Sequence, residues 1–169
     1  VSMQTSAAPG EEGPIAEGAG YEIYAVQWPV FPGVQGEGLL LEPTGSATSS
    51  LLILPDCDQT PEDVVGLSGD VDGHSRYVLQ LAEAGYRIIV LSLINRNDTW
   101  SGHPEVRMTN QPHREFIYRG ADEMGRHIIG YEIQKARSAI DWLKEKSPES
   151  ALGIFGYGEG GLLALYTAV

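Results

Sequence analysis

A chain of 169 residues, 42% hydrophobic and 20% charged, has enough apolar content to bury a core and too little charge to stay unfolded. Its net charge of −12, from 23 acidic against 11 basic residues, argues against nucleic acid and anionic membranes as partners, since both are bound by an excess of Lys and Arg. No apolar run approaches the roughly 20 residues that span a bilayer, and the single cysteine, Cys57, has no partner for an internal disulfide.

Residues 1–20 are rich in Gly, Ala, Ser, Pro and Glu and carry no Lys or Arg, so they read as a flexible leader or linker before a domain over 21–169. "YEIYAVQW", with Tyr21, Ile23 and Ala25 alternating, predicts a strand. "PGVQGEG" predicts a turn, "GLLLEP" a second strand and "TGSATSS" another turn. "LLILPD" is a short apolar run, as expected of a strand buried on both faces. An acidic loop follows, "DCDQTPEDVVGLSGDVDG". Next comes a helix with Ser75 as its cap, an apolar face of Val78, Leu79, Leu81 and Ala82, and Gly85 at its end. "RIIVLSL" is then another buried strand.

Asn95 to Gly120 is long and polar and predicts an irregular loop, ordered by Trp100, Phe116 and Tyr118. One long helix is expected from Ala121 to about Lys146, with Ile129, Ile133, Ala136, Ile140 and Leu143 as its core stripe. "ALGIFGY" is the last strand, and "EGGLLALYTAV" is a helix apolar almost all round. The order implies an α/β fold: a sheet that starts antiparallel and becomes parallel, with helices on both faces.

The turn "GYGEGG" carries two overlapping motifs. Gly156, Gly158 and Gly161 fit the dinucleotide fingerprint G-x-G-x-x-G. Gly156, Gly158 and Gly160 fit the frame of a nucleophile elbow, G-x-S-x-G, with Gly in place of Ser. Chain order disfavours the first motif, because a dinucleotide site uses the first strand–helix turn of its fold and at least four strands precede this one. Glu159 in the first helical turn would also repel a pyrophosphate. No cofactor is expected.

Three stretches, "LPDCDQTPE", "NQPHREFIYRGADEMGRHIIGYEIQKARSAIDWL" and "GYGEGG", resemble the α/β-hydrolase superfamily, in its acetyl xylan esterase-like and dienelactone hydrolase-like branch. The resemblance runs from about Tyr21 to the end and covers the first half of such a fold. It implies a three-layer α/β sandwich with a mostly parallel sheet, truncated after the elbow helix. The activity it implies is carboxylic-ester hydrolysis, acting on a small-molecule ester or a carbohydrate ester such as an acetyl ester. It puts the nucleophile at Gly158, which has no side chain to attack with. One half of an oxyanion hole falls on the backbone of Glu159 and the other near Cys57 and Asp58. The acid and histidine of the triad would come from strands after the elbow, and none follow. The expectation is therefore a fragment, or a homologue with a degenerate active site that binds a ligand or partner at the glycine elbow. An unburied final helix would promote self-association.

Other candidates have structural alternatives. Cys57 as a displaced nucleophile, with His103 or His113 as base, competes with a buried small hydrophobe. Asp70 and Asp72 hint at calcium, but a solvated loop suits them better. Glu123 and His127, four apart, suit a metal or an ordinary helix pair; with no third ligand, no metal is expected. Trp100, Arg114, Arg119 and Arg126 form a candidate clamp for a substrate or for the long loop. With Glu132 and Lys135, the arginines also suit a structural ion-pair network, the favoured reading.

Overall fold

The structure, a computed structural model, describes residues 2–5, 13–69, 73–98, 105 and 111–169. Its elements in chain order are β1 (Gln4–Thr5), β2 (Ala16–Gly18), β3 (Tyr21–Phe31), β4 (Val34–Pro43), β5 (Ser49–Leu54), α1 (Pro61–Val64), α2 (Gly73–Glu83), β6 (Tyr86–Leu91), α3 (His113–Glu123), α4 (Ile128–Lys146), β7 (Leu152–Gly156) and α5 (Glu159–Thr167). One sheet runs in the order β1-β3-β4-β6-β5-β7, with β2 also paired to β3.

The expectation of a mostly parallel sheet is corrected. β5 pairs in parallel with β6 and β7, whereas the pairings among β1, β2, β3, β4 and β6 are antiparallel. Parallel neighbours need a crossover of a dozen or more residues, and only the α2 connection and the α3–α4 connection supply one. Short turns join β2, β3 and β4 instead. The change from antiparallel to parallel along the chain is as expected.

The two crossovers run in opposite directions across β5. Crossovers of one hand then place their helices on opposite faces. The core divides accordingly. One cluster joins Trp28, Leu52, Leu54, Ile89 and Leu91 to Ala136, Ala139 and Leu143 of α4 and Leu163 of α5. The other joins Ile23, Leu39, Leu41, Ile53, Ile88 and Val90 to Val64 of α1 and to Val78 and Ala82 of α2. Successive residues of β5 and β6 thus serve opposite cores, which is why both strands read as unbroken apolar runs.

Several boundaries differ from expectation. Two pieces of the first 20 residues, Gln4–Thr5 and Ala16–Gly18, pair with β3. β3 and β4 are longer than expected: they meet at a tight turn with Gly33 at φ 78°, so "VQGEG" is strand. A short helix, α1, interrupts the acidic loop. Thr60 and Asp63 satisfy each other's backbone N–H groups there, with Pro61 opening the helix. α2 begins at Gly73, so Ser75 lies inside its first turn.

The single long helix expected from Ala121 is two helices. Gly125 adopts φ 72°, and the Met124 and Arg126 N–H groups both fold back to the Ala121 carbonyl, ending α3. His127 then caps α4, its Nδ1 accepting from the Ile129 N–H at 3.1 Å. α3 also takes over the last part of the expected irregular loop.

Candidate functional site

Three segments converge at the carboxyl ends of the parallel strands: Asp56-Cys57-Asp58 after β5, Ile94–Asn97 after β6, and Gly158-Glu159 after β7. Chain ends at this edge of a parallel sheet are where α/β folds build their sites.

Gly158 holds the turn from β7 into α5 at φ 56°, ψ −126°, a conformation L-residues rarely adopt. Its neighbours serve close packing. A Cβ on Gly156 would lie 2.1 Å from the Gly160 carbonyl oxygen, and one on Gly160 would lie 1.9 Å from the Leu54 carbonyl oxygen. The glycines therefore bring α5 hard against β5 and β7, and leave the first N–H groups of the helix facing the end of β5.

Asp56 fills that space. Its Oδ1 accepts from the Cys57 N–H at 2.9 Å and from the Glu159 N–H at 3.1 Å. A Cβ placed on Gly158 would meet the Asp56 carboxyl carbon at 2.6 Å. The expected pair of backbone donors, Cys57 and Glu159, is thus brought together on one oxygen atom. Asp58 is not part of it; its carboxylate turns outward to Arg96 at 2.9 Å.

The Glu159 side chain is the hub of an ion-pair network. Its Oε1 accepts from Arg114, and its Oε2 lies 3.2 Å from Arg96 and 3.3 Å from the Cys57 sulfur. Arg114 continues inward to the Ile94 carbonyl at 2.8 Å and to Glu132 at 3.3 Å. Glu132 is fully buried; it accepts from the Ile94 N–H at 2.8 Å and pairs with Lys135 at 2.8 Å, and Lys135 also donates to the Ser92 carbonyl. The free N–H groups at the start of α3 reach the same loop, His113 to the Asn97 carbonyl and Arg114 to the Asn95 carbonyl. The network thus ties α3, α4, α5 and the segment after β6 together.

Cys57 is 1% exposed. Burial pushes its thiol up from the ordinary value, and the Asp56 carboxylate adds to this, against the opposing pull of Arg96 and Arg114. A protonated thiol is a poor nucleophile at neutral pH. Asp56, Cys57 and Glu159 hold possible metal-ligating atoms within 4.8 Å of one another, but both Glu159 oxygens are already paired with arginine.

The three arginines of the candidate clamp do not come together. Arg114 joins the buried network, together with Glu132 and Lys135. Arg119 instead pairs with Glu115 on the surface of α3 at 2.9 Å. Arg126 lines a separate cavity of about 320 Å³ with Phe31, His127, Gly130 and Tyr131. Glu123 and His127 do not share one helix: Glu123 ends α3 and His127 caps α4. Trp100, His103, Asp70 and Asp72 lie outside the described residues. Sequence reasoning missed Asp56 and Arg96. The available signal was the pair of acids flanking Cys57 at the end of a buried strand, which calls for a cation from a neighbouring strand end.

No family model and no curated protein matches the chain. Solved structures do. A Bacteroides fragilis protein assigned as an acetyl xylan esterase superposes with a TM-score of 0.67 at 14% identity, over 89% of this chain and 42% of its own. Acetyl xylan esterase 1 of Thermoanaerobacterium sp. gives 0.57 at 18% identity, over 99% and 47%. Dienelactone hydrolase of Anabaena variabilis gives 0.53 at 23% identity, over 88% and 57%. The fold is therefore α/β-hydrolase-like, and the chain spans about half the length of the structures it matches.

Proposed function

We propose that this chain carries the elbow of an esterase-like α/β-hydrolase, with Gly158 at the position of the attacking residue, and that it does not cleave esters there. The observation that carries the reading is the convergence of the Cys57 and Glu159 N–H groups on one oxygen, beside a residue with no side chain. Two backbone donors aimed at one oxygen are what acyl-transfer sites offer to a developing oxyanion. Here the oxygen belongs to the chain's own Asp56. With the attacking atom missing and the donors taken, two requirements of the reaction fail at once. A whole esterase of this kind, acting on a small ester or an acetylated carbohydrate, would also need an acid and a histidine.

The test is hydrolysis of p-nitrophenyl acetate by the purified chain. The expected rate equals that of buffer plus an inert protein. A saturable rate that disappears in Cys57→Ala would overturn the reading and make the thiol the nucleophile.

A second reading is a non-catalytic homologue that binds a ligand or partner at the glycine elbow. Arg96 favours it: this arginine is partly exposed and stands at the mouth of the site, where it would meet an anionic group. A dinucleotide is disfavoured, since the Asp56 carboxylate occupies the N–H group its phosphates would need.

A further inference from the structure

We propose that the cleft between the end of β3 and the joint of α3 and α4 binds a small aromatic carboxylate, a single ring bearing one negative charge. The cleft has a volume of about 320 Å³ and is lined by Phe31, Arg126, His127, Gly130 and Tyr131. That lies at the small end of the range for ligand pockets, about 300–1,000 Å³, and suits one ring. The cleft belongs to the side of the sheet away from β7, since β4, β6 and β5 stand between β3 and β7 in strand order. It shares no lining residue with the glycine elbow.

Two aromatic rings form the apolar wall. The pairing of β3 with β4 shifts register between Pro29 and Phe31, and such an irregularity re-aims a side chain out of the regular pleat. The Phe31 ring meets Tyr131 edge to face, with centroids 5.9 Å apart and planes at 85°. Both residues are only partly buried, so ring surface is left for a ligand to cover. Gly130, in the first turn of α4, adds no side chain to the cleft. A glycine inside a helix destabilises it relative to alanine. Packing gives no reason for this one, because a Cβ added there would meet nothing within 4 Å. Its missing side chain keeps the cleft open.

Charge selects the ligand. Arg87, Arg96, Arg114 and Arg119 are each held by a carboxylate. Among the described residues, the Arg126 side chain is held by none, in a chain with 23 acidic residues against 11 basic ones. His127 uses its Nδ1 to accept from the Ile129 N–H at 3.1 Å, which leaves the ring hydrogen on Nε2 as a donor. Tyr118 packs against that ring with centroids 5.4 Å apart. The first turn of α4 carries no acid, and the positive end of its dipole adds to the attraction for an anion. A planar guanidinium matches a carboxylate through two parallel N–H donors. One guanidinium balances one negative charge, and the acidic surplus of the chain disfavours a dianion such as a phosphate.

Isothermal titration calorimetry of the chain with phenylacetate tests the proposal, beside acetate, which lacks the ring, and 2-phenylethanol, which lacks the charge. Phenylacetate is expected to bind with a Kd at or below about 1 mM, in keeping with its roughly ten heavy atoms, and each of the other two at least tenfold more weakly. Gly130→Leu, which fills the cleft, and Arg126→Gln, which removes the charge, are each expected to weaken phenylacetate binding at least tenfold. No binding of phenylacetate overturns the proposal. So does acetate or 2-phenylethanol binding as tightly as phenylacetate. Binding that either variant leaves unchanged would place the ligand elsewhere, such as beside Arg96, and would also overturn it. The three compounds on the wild-type chain decide the matter even where a variant does not fold.

Discussion

At Gly158 two separate effects oppose a serine. The backbone conformation, φ 56° and ψ −126°, is strained for any L-residue, at about 1–3 kcal/mol. The Cβ would also sit 2.6 Å from the Asp56 carboxyl carbon. Asp56 would have to rotate away and abandon the Cys57 and Glu159 N–H groups. Gly158→Ser is therefore expected to lower the melting temperature by about 2–4 °C for each kcal/mol lost. Asp56→Gly in the same chain removes the clash and leaves the strain, so the double variant should recover part of the loss. A single variant that melts unchanged or higher would argue against the elbow geometry. The glycine turn at 158 was legible in the sequence. The occupant of the space was not, because nothing local marks which of several acids turns into an elbow.

Among the elements, α4 shows how far sequence patterning reaches. Its core stripe of Ile129, Ile133, Ala136, Ile140 and Leu143 was visible at helical spacing. Its start was not, because one helix is expected from Ala121 straight across Gly125, whose positive φ ends α3. α1 was likewise hidden in an acidic loop, although Thr60-Pro61-Glu62-Asp63 spells a capping box. The sequence did suggest an ion-pair network of Glu132 and Lys135 with the arginines, but not that Glu132 is fully buried and accepts from the Ile94 N–H. Removing one member of a buried ion network strands the others. Glu132→Ala leaves two buried cations with one carboxylate fewer and is expected to cost about 3–5 kcal/mol in urea unfolding. Glu132→Gln keeps an acceptor for the Ile94 N–H and should cost less. A loss below about 1 kcal/mol for the alanine variant would mean that the apolar stripe alone holds α4 in place.

For the molecule as a whole, strand order and sense were only half legible. Apolar runs identify β5 and β6 as buried, but a run cannot say which neighbour it takes or in which direction. Two short strands in a Gly- and Ala-rich stretch, β1 and β2, add antiparallel pairings that composition does not foretell. Charge acts at this scale as well. Arg87, Arg96, Arg114, Arg119 and Lys135 are already paired with carboxylates, so the acidic surplus behind the net charge of −12 is left to repel itself across the surface. Salt shortens the reach of that repulsion, to about 3 Å at 1 M from about 8 Å at 0.15 M, and screens the buried network much less. Raising sodium chloride from 0.05 to 0.5 M is therefore expected to raise the melting temperature by about 2–4 °C, the equivalent of roughly 1 kcal/mol. A fall over that range would mean that surface ion pairs, and not the surplus of acid, dominate the electrostatics of the folded chain.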